Sequence, residues 1–132
     1  MTDRELADIA YSMLKKAYVP YSKFPVGAAL LCADGTVFTG CNIENASYGA
    51  TICAERTAIF KAVSEGHRDD FVKLAVVGNT DGPCWPCALC RQVLYEFAPE
   101  LEILVGNKNR ELAQTSLAQL LPHGFGPQEL KK

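Results

Sequence analysis

Two short cysteine-bearing segments limit most strongly how this chain can fold. The first is Cys53-Ala54-Glu55, and the second is PCALC at 86–90, with Cys87 following Cys53 by 34 residues. Each segment begins a run of apolar residues at helical spacing, so each predicts a helix start. Free N–H groups and the positive end of the helix dipole stabilise thiolates at such positions. A fold that brings the two starts together offers three thiolates, from Cys53, Cys87 and Cys90, to one metal ion.

Three ligands predict a catalytic metal site. A structural zinc has four protein ligands, whereas a catalytic zinc keeps one position open for water. Cys87 and Cys90 are three residues apart, which places both sulfurs on one face of a helical turn. Glu55, two residues after Cys53, can lie beside the metal-bound water without binding the metal. The sequence therefore predicts one zinc ion per chain, with Glu55 as the proton shuttle.

A zinc ion bound by three thiolates carries a formal charge of −1, which opposes ionisation of its water. A nearby cation that donates hydrogen bonds to the sulfurs would relieve this charge. Arg56 follows Glu55 directly and Arg91 follows Cys90. Either arginine could serve.

The chain of 132 residues predicts one domain, spanning 1–132. Its N-terminus lacks the unbroken apolar stretch of a signal peptide, and no apolar run reaches the roughly 18 residues of a membrane span. Six cysteines without a secretory signal favour metal ligands or buried thiols over disulfides. These features predict a cytoplasmic protein with no membrane partner.

The net charge is −2 and the basic residues are scattered. Polynucleotide binding usually requires a clustered basic face, because phosphate contacts supply much of the affinity. We therefore expect no nucleic-acid partner and a small neutral substrate.

Apolar spacing and turn residues predict helices that alternate with strands. The expected helices are an N-terminal one ending at Val19-Pro20, one from Cys53 to about Glu65, one from Cys87 to about Phe97, and a short one capped by Thr115 or Ser116 and ending at Pro122. The expected strands are 26–32, 36–41, 71–77 and 101–105, with a weak fifth near Leu112. This order predicts an α/β fold, a three-layer α/β/α sandwich around a single mixed sheet of about five strands.

The chain resembles the small homotetrameric cytidine deaminases from its first helix to its C-terminus. The resemblance rests on the segments FPVGAAL (24–30), NIENASYGATICAERTA (42–58), PCALCRQ (86–92) and LLPHGFGP (120–127). It implies hydrolysis of cytidine and deoxycytidine to uridine and deoxyuridine, with release of ammonia, in pyrimidine salvage. It also implies the cytidine deaminase-like fold and zinc bound by the three cysteines.

The same resemblance implies roles for further residues. Glu55 would take a proton from the zinc-bound water, deliver it to the ring and assist departure of ammonia. Arg56 would neutralise thiolate charge. Asn42 and Glu44 would hold the ribose hydroxyls, and the Ala54 backbone would hold the pyrimidine carbonyl. Phe24 would flank the ring. Tyr48 and Phe125 would belong to active sites that are shared between subunits.

Two positions differ from the usual family pattern. Ala88 stands where glycine is common after the first cysteine of PCxxC, and Trp85 stands where a small hydroxyl residue is common before the proline. The bulky indole changes the shape of this loop and could affect substrate selectivity.

Other interpretations of the cysteines remain open at this point. Cys84-Trp85-Pro86-Cys87 is also a CxxC, as in thioredoxin-like redox sites, and Cys84 could instead be a fourth ligand that closes a purely structural zinc site. Within the same fold, the substrate could be another one, such as the antibiotic blasticidin S. Cys32 and Cys41 are expected to be buried small apolar residues. His67 and His123 are expected to be exposed and not to bind metal.

Overall fold

The computed structural model describes residues 1–131 and has the predicted α/β architecture. The helices are α1 (Asp3–Ser12), α2 (Ala54–Ser64), α3 (Ala88–Phe97), α4 (Leu117–Leu120) and α5 (Pro127–Leu130), with 3₁₀ turns at Leu14–Lys16 and Tyr48–Ala50. The strands are β1 (Val26–Cys32), β2 (Val37–Cys41), β3 (Phe71–Gly78), β4 (Glu102–Gly106) and β5 (Leu112–Ser116). Among residues 1–131, no helix has the length and apolar character that crossing a bilayer requires.

The five strands form a single mixed sheet in the order β2-β1-β3-β4-β5. Strands β3 and β4 are parallel, and the other neighbouring pairs are antiparallel. The helix α3 makes the crossover between the two parallel strands, as a parallel pair requires. The predicted mixed sheet of about five strands is confirmed.

Helices cover both faces of the sheet, which confirms the three-layer arrangement. Alternate residues of β1 and β3 face opposite sides, because side chains alternate along a strand. On one side Ala29 and Ala75 pack with the buried face of α1. On the other side Leu30 and Leu74 pack with buried residues of α2 and α3. The residues of β3 from 74 to 77 are fully buried, as its nearly unbroken apolar run predicts.

Some predicted boundaries were wrong. The first helix ends at Ser12, and a 3₁₀ turn follows, so it does not continue to Val19-Pro20. Ser116 caps the short helix α4, whereas Thr115 is the last strand residue but one. The turn α5 near the C-terminus was not predicted, because four residues carry too little periodicity to be recognised.

Close contact between α2 and β2 fixes the position of the first cysteine segment. Gly40 on β2 faces the first turn of α2, where a Cβ atom would overlap the carbonyl oxygen of Ala54 and lie 2.7 Å from the nitrogen of Ala58. Only glycine permits this approach without displacing the helix. The hydroxyl of Thr57 also donates to the Cys41 carbonyl at 3.1 Å, which ties the same turn to the strand.

Candidate metal centre and active site

The three predicted ligands meet at two adjacent helix starts. Cys53 is the N-cap residue of α2 and Cys87 is the N-cap residue of α3, while Cys90 lies in the first turn of α3. The Cys87 sulfur accepts a hydrogen bond from the Cys90 backbone N–H, as an N-cap side chain does. Both helix dipoles therefore point their positive ends at the sulfur atoms.

The spacing of the sulfur atoms fits a metal ion. The Cys53 and Cys87 sulfurs are 3.8 Å apart, the Cys87 and Cys90 sulfurs are 3.4 Å apart, and all three lie within 4.8 Å of one another. Tetrahedral zinc with Zn–S bonds of about 2.3 Å places its sulfurs about 3.8 Å apart. The cluster therefore suits zinc, with one position left for a ligand from outside the protein.

Cys84 lies outside this cluster. Among residues 1–131, the group of potential ligands here contains only Cys53, Cys87 and Cys90. Burial raises the pKa of the Cys84 thiol to about 12, and the negative charges of Glu55 and Cys53 add to this effect. A redox-active CxxC needs a cysteine with a lowered pKa, so the thioredoxin-like interpretation fits this thiol poorly.

Neighbouring groups shift the pKa values of two of the three thiols in opposite directions. Hydrogen bonding with Cys90 and with Arg56 lowers the pKa of Cys53 to about 5. The same Cys53–Cys90 hydrogen bond, together with burial, raises the pKa of Cys90. The neighbours of these two residues thus favour the thiolate form of Cys53 and the protonated form of Cys90.

The two candidate arginines have different partners. The Arg56 Nη2 donates to the Cys53 sulfur at 3.3 Å, and its buried Nε has no partner among the described residues. Arg91 instead donates from Nε to the Pro86 carbonyl at 2.8 Å and from Nη1 to the Leu120 carbonyl at 3.0 Å. Arg56 is therefore the arginine in contact with a thiolate, while Arg91 holds the backbone of the second cysteine segment.

Glu55 is buried beside the cysteine cluster. Glu55 is 4% exposed, and it and Asn107 are the only buried polar or charged residues among those described. Burial raises its pKa to about 7, with a further contribution from the negative charge of Cys53. A carboxyl group with this pKa exchanges protons readily at neutral pH.

A cavity of about 570 Å³ opens in front of the cluster. It brings together most of the predicted substrate contacts, and its lining includes Phe24, Asn42, Glu44, Cys53, Ala54, Glu55, Trp85 and Cys87. A larger share of its lining is apolar than polar, which is typical of small-molecule sites. Trp85 lines this cavity, so its indole helps to set the shape of the entrance.

Hydrogen bonds hold the polar side chains of the cavity against its rim. The Asn42 side chain accepts from the Val26 N–H at 2.9 Å and donates to the Phe24 carbonyl at 2.8 Å. The Glu44 carboxylate accepts from the backbone of Tyr21 and Ser22 and from the Ser22 hydroxyl. The hydrogen bond from that hydroxyl is the main cause that lowers the pKa of Glu44.

Two predicted contacts lie outside the cavity of this chain. Tyr48 is 74% exposed and packs edge-on against Tyr21, with ring centroids 5.7 Å apart. Phe125 is 58% exposed, and its backbone carbonyl accepts a hydrogen bond from Gln92. A single chain does not bring either ring to the cysteine cluster.

Sequence reasoning missed Ser22 and Thr51, which also line the cavity. Both lie in loop segments without periodicity or a metal-ligand pattern, so only the fold places them near the cluster. The Ser22 hydroxyl donates to the Glu44 carboxylate and accepts a hydrogen bond from the Phe24 N–H. It therefore helps to fix the position of that carboxylate in the cavity.

Comparison with known proteins matches this geometry to one family. The model of the "cytidine and deoxycytidylate deaminase zinc-binding region" matches residues 1–105. The chain belongs to the cytidine and deoxycytidylate deaminase family. The zinc-binding region that defines this family agrees with the position of Cys53, Cys87 and Cys90, which can bind a metal ion together.

Individual members of the family are similar over nearly the whole chain. A cytidine deaminase of Sporosarcina psychrophila is 54% identical over 117 residues, covering 88% of this chain and 85% of the relative. A cytidine deaminase of Halalkalibacterium halodurans is 52% identical over 115 residues, covering 86% of each. The crystal structure of cytidine deaminase from Burkholderia pseudomallei superposes with a TM-score of 0.92 at 50% identity, covering 95% of this chain and 100% of that one.

Proposed function

We propose that this chain hydrolyses cytidine and deoxycytidine to uridine and deoxyuridine, releasing ammonia, as an enzyme of pyrimidine salvage. The observation that carries the proposal is the buried Glu55 beside three cysteine sulfurs at zinc-binding distances, inside a cavity of about 570 Å³. Residues 1–132 would form one catalytic domain; residue 132 lies outside the described part of the chain. Six free cysteines suit a reducing compartment, which supports a cytoplasmic location.

Zinc held by Cys53, Cys87 and Cys90 would act as a Lewis acid that lowers the pKa of water towards neutrality. Glu55 would accept a proton from the attacking water and donate it to N3 of the pyrimidine ring. It would then carry the second proton of this water to the departing amino group. Water and cytidine are thereby converted to uridine and ammonia. A carboxyl group with a pKa of about 7 can take and return a proton at each of these steps.

The polar rim supports a nucleoside as the substrate. One N–H of the Asn42 amide is used by the Phe24 carbonyl, which leaves the second N–H for a ribose hydroxyl. Glu44, with its lowered pKa, is ionised at neutral pH and accepts hydrogen bonds from hydroxyl groups. Phe24 would flank the pyrimidine ring and the Ala54 backbone would hold its carbonyl. Contacts to the ribose orient the ring without taking part in the chemistry.

Arg56 would compensate the charge of the thiolates. Its guanidinium reaches the Cys53 sulfur, whereas Arg91 is engaged by two backbone carbonyls. A guanidinium stays charged at every pH at which the enzyme is stable, so the compensation would not depend on pH.

The enzyme would be a homotetramer with shared active sites. Large apolar side chains are exposed on the surface of this chain, including Ile43, Tyr48, Phe60 and Phe125. Such side chains favour burial against other copies of the chain, because exposed apolar patches usually mark association surfaces. Tyr48 and Phe125 would then each complete the cavity of a neighbouring subunit.

An absorbance assay tests the proposed reaction directly. Cytidine should lose ultraviolet absorbance as uridine forms, and a zinc chelator should stop the loss. Deoxycytidine, free cytosine and blasticidin S serve as competing substrates; the proposal requires that the two nucleosides react fastest. Turnover of blasticidin S without turnover of cytidine would assign a different substrate to the same site.

Mixing two variants tests the shared active site. Glu55→Gln lacks the proton carrier, and Phe125→Ala lacks the side chain that would be supplied to a neighbour. If sites are shared, some cavities of a mixed tetramer contain Glu55 from one subunit and Phe125 from its neighbour, both intact. The activity of the mixture should then exceed that of either variant alone. Activity of the mixture equal to the average of the two variants would restrict each site to one chain.

A further inference from the structure

A second group of metal-ligating side chains lies away from the cysteine cluster. Cys32 ends strand β1, while His67 and Asp70 lie in the turn between α2 and β3. One potential ligand atom from each residue lies within 4.8 Å of the other two. This group is at the C-terminal end of α2, whereas Cys53 caps its N-terminus; eleven helical residues separate the two ends by about 16 Å.

Backbone hydrogen bonds fix His67 in place. The preceding Gly66 adopts a φ of +97°, which ends α2 and is favoured by glycine. The His67 N–H then donates to the Ala62 carbonyl of the helix at 3.0 Å. The Phe38 ring packs edge-on against the imidazole, with centroids 5.2 Å apart. The imidazole is thus held by the helix end on one side and by an aromatic ring on the other.

Backbone hydrogen bonds also hold Cys32 and Asp70 beside each other. The Asp70 carbonyl accepts from the Ala33 N–H at 2.8 Å, and the Cys32 N–H donates to the Thr36 carbonyl at 2.8 Å. The pairing of β1 with β3 shifts register at Cys32, which pairs with Phe71. A register shift of this kind redirects a side chain relative to its neighbours along the strand.

The Asp70 carboxylate has one oxygen without a partner. Its Oδ2 lies 2.8 Å from His67 Nδ1, but its Oδ1 is buried and makes no hydrogen bond within residues 1–131. Leaving a buried acceptor unpaired is unfavourable, and more so for a charged group. A bound cation would supply the missing partner.

A nucleophilic cysteine fits this group less well than a metal site. Cys32 is 1% exposed, so a substrate cannot reach its sulfur. Burial raises the pKa of the thiol to about 11, and the negative charges of Asp70 and Asp34 raise it further. The two groups that act on this thiol through their charge, Asp70 and Asp34, are both negative.

We propose that Cys32, His67 and Asp70 form a second metal site that takes a zinc-like divalent cation. Thiolate, imidazole and carboxylate are the three protein ligand types that zinc accepts. The His67 and Asp70 side chains are 18% and 30% exposed, which leaves access for a solvent ligand in the remaining position. On binding, the thiol releases its proton, and the ligand atoms take the spacing of about 3.3–3.8 Å that a tetrahedral zinc ion sets.

The site would fasten the end of α2 to the hairpin formed by β1 and β2. Its ligands come from a strand end and from the turn that follows the helix, so one ion would bridge elements far apart in sequence. The site is independent of the proposed deaminase reaction, because neither its residues nor their partners line the cavity.

Metal content per chain tests the proposal. The wild-type protein is loaded with zinc, freed of excess by gel filtration, and analysed for zinc and protein by mass spectrometry. We expect two zinc ions per wild-type chain and one in each of Cys32→Ala, His67→Gln and Asp70→Asn. Cys41→Ala is the matched control: Cys41 is also a buried free cysteine but lies outside the group, so this variant should keep two.

Cobalt provides an independent readout. In Cys87→Ala, where the first site is disabled, Co²⁺ should still produce a thiolate-to-cobalt absorption band, and adding Cys32→Ala should abolish it. A wild-type chain that saturates at one zinc ion overturns the proposal, and so does retention of the second ion in either Cys32→Ala or His67→Gln. If Cys32→Ala fails to fold, His67→Gln and Asp70→Asn decide, because both alter partly exposed side chains.

Discussion

The Arg56 guanidinium donates a hydrogen bond to the Cys53 sulfur at 3.3 Å, one turn back along the same helix. The three-residue spacing on α2 places the two side chains on one face, so the contact follows from helix geometry once the helix begins at Ala54. The Cys53 sulfur and the guanidinium that contacts it are thereby fixed by a single helical turn, and the first prediction concerns this pair.

Arg56→Ala should keep the fold but lower activity at neutral pH and weaken zinc retention. Without the guanidinium, the three-thiolate site is more negative, so the attacking water should ionise at a higher pH. Some activity should therefore return as pH rises, and the acidic limb of the pH–rate profile should move to higher pH. The profile is measured on zinc-replete protein, with Arg91→Ala as the comparison. An acidic limb that coincides with that of the wild type would exclude charge compensation by Arg56.

Replacement of each ligand by alanine should remove both zinc and activity at Cys53, Cys87 and Cys90. The loss of one of three thiolates leaves too few protein ligands for a catalytic zinc. Cys84→Ala is the matched control, because Cys84 is buried beside the cluster but lies outside it. Zinc content and activity are both measured in a Cys32→Ala background. In this background the proposed second site is disabled, so any zinc that is found belongs to the cysteine cluster. Loss of zinc in Cys84→Ala with retention in Cys90→Ala would reverse the assignment.

Glu55→Gln should retain zinc and the fold but lose activity. The amide has the shape of the carboxyl group, yet it cannot accept the proton of the attacking water. General acid–base catalysis contributes about 10²–10⁴-fold, and a group that acts at several steps can exceed this range. Turnover is measured by the absorbance assay on protein of verified zinc content. A variant with a tenth or more of wild-type turnover would remove Glu55 from the proton-carrying role.

Cys84 should react slowly with iodoacetamide, unlike a redox-active cysteine. Its pKa of about 12 leaves only about 10⁻⁴ of the thiol ionised at pH 8, and the thiolate is the reactive form. Because the pKa is raised, the rate should increase about tenfold for each pH unit between 8 and 10. Peptide mapping of the zinc-bound protein gives the rate at this residue. Rapid labelling at pH 7, or a disulfide between Cys84 and Cys87, would support the redox interpretation instead.

Gly40→Ala should destabilise the protein and reduce its zinc content. The added Cβ would overlap the Ala54 carbonyl oxygen and push the start of α2, with Cys53, away from the second cysteine segment. Overpacking of this kind costs roughly 1–3 kcal/mol. Gly49→Ala is the control, since no atom lies within 4 Å of its added Cβ. Urea unfolding and zinc content are compared for both, and equal effects would show that the close helix–strand contact is unimportant.

The local chemistry of this protein was determined by the sequence alone. The spacing of Cys53 with Glu55 and of Cys87 with Cys90 predicted two helix starts, and both cysteine N-caps lie where the pattern placed them. Alternating apolar segments predicted the three layers and the five strands, because burial of one face imposes its period on the sequence. These features depend on neighbours within a few residues along the chain.

The tertiary structure decided what depends on distant segments. The resemblance implied Arg56 as the arginine beside the thiolates, but only the fold shows that Arg91 donates to the carbonyls of Pro86 and Leu120 instead. His67 was expected to be exposed, but its side chain is only 18% exposed, whereas Cys32 is buried as expected. The turn after α2 brings both residues together with Asp70. No short-range pattern links a strand end at residue 32 to a turn at residues 67–70, since β1–β3 pairing and the hydrogen bond from the Ala33 N–H to the Asp70 carbonyl join them. Contacts of this kind join residues on segments that are distant along the chain, and the spacing of residues within one segment does not determine which segments become neighbours.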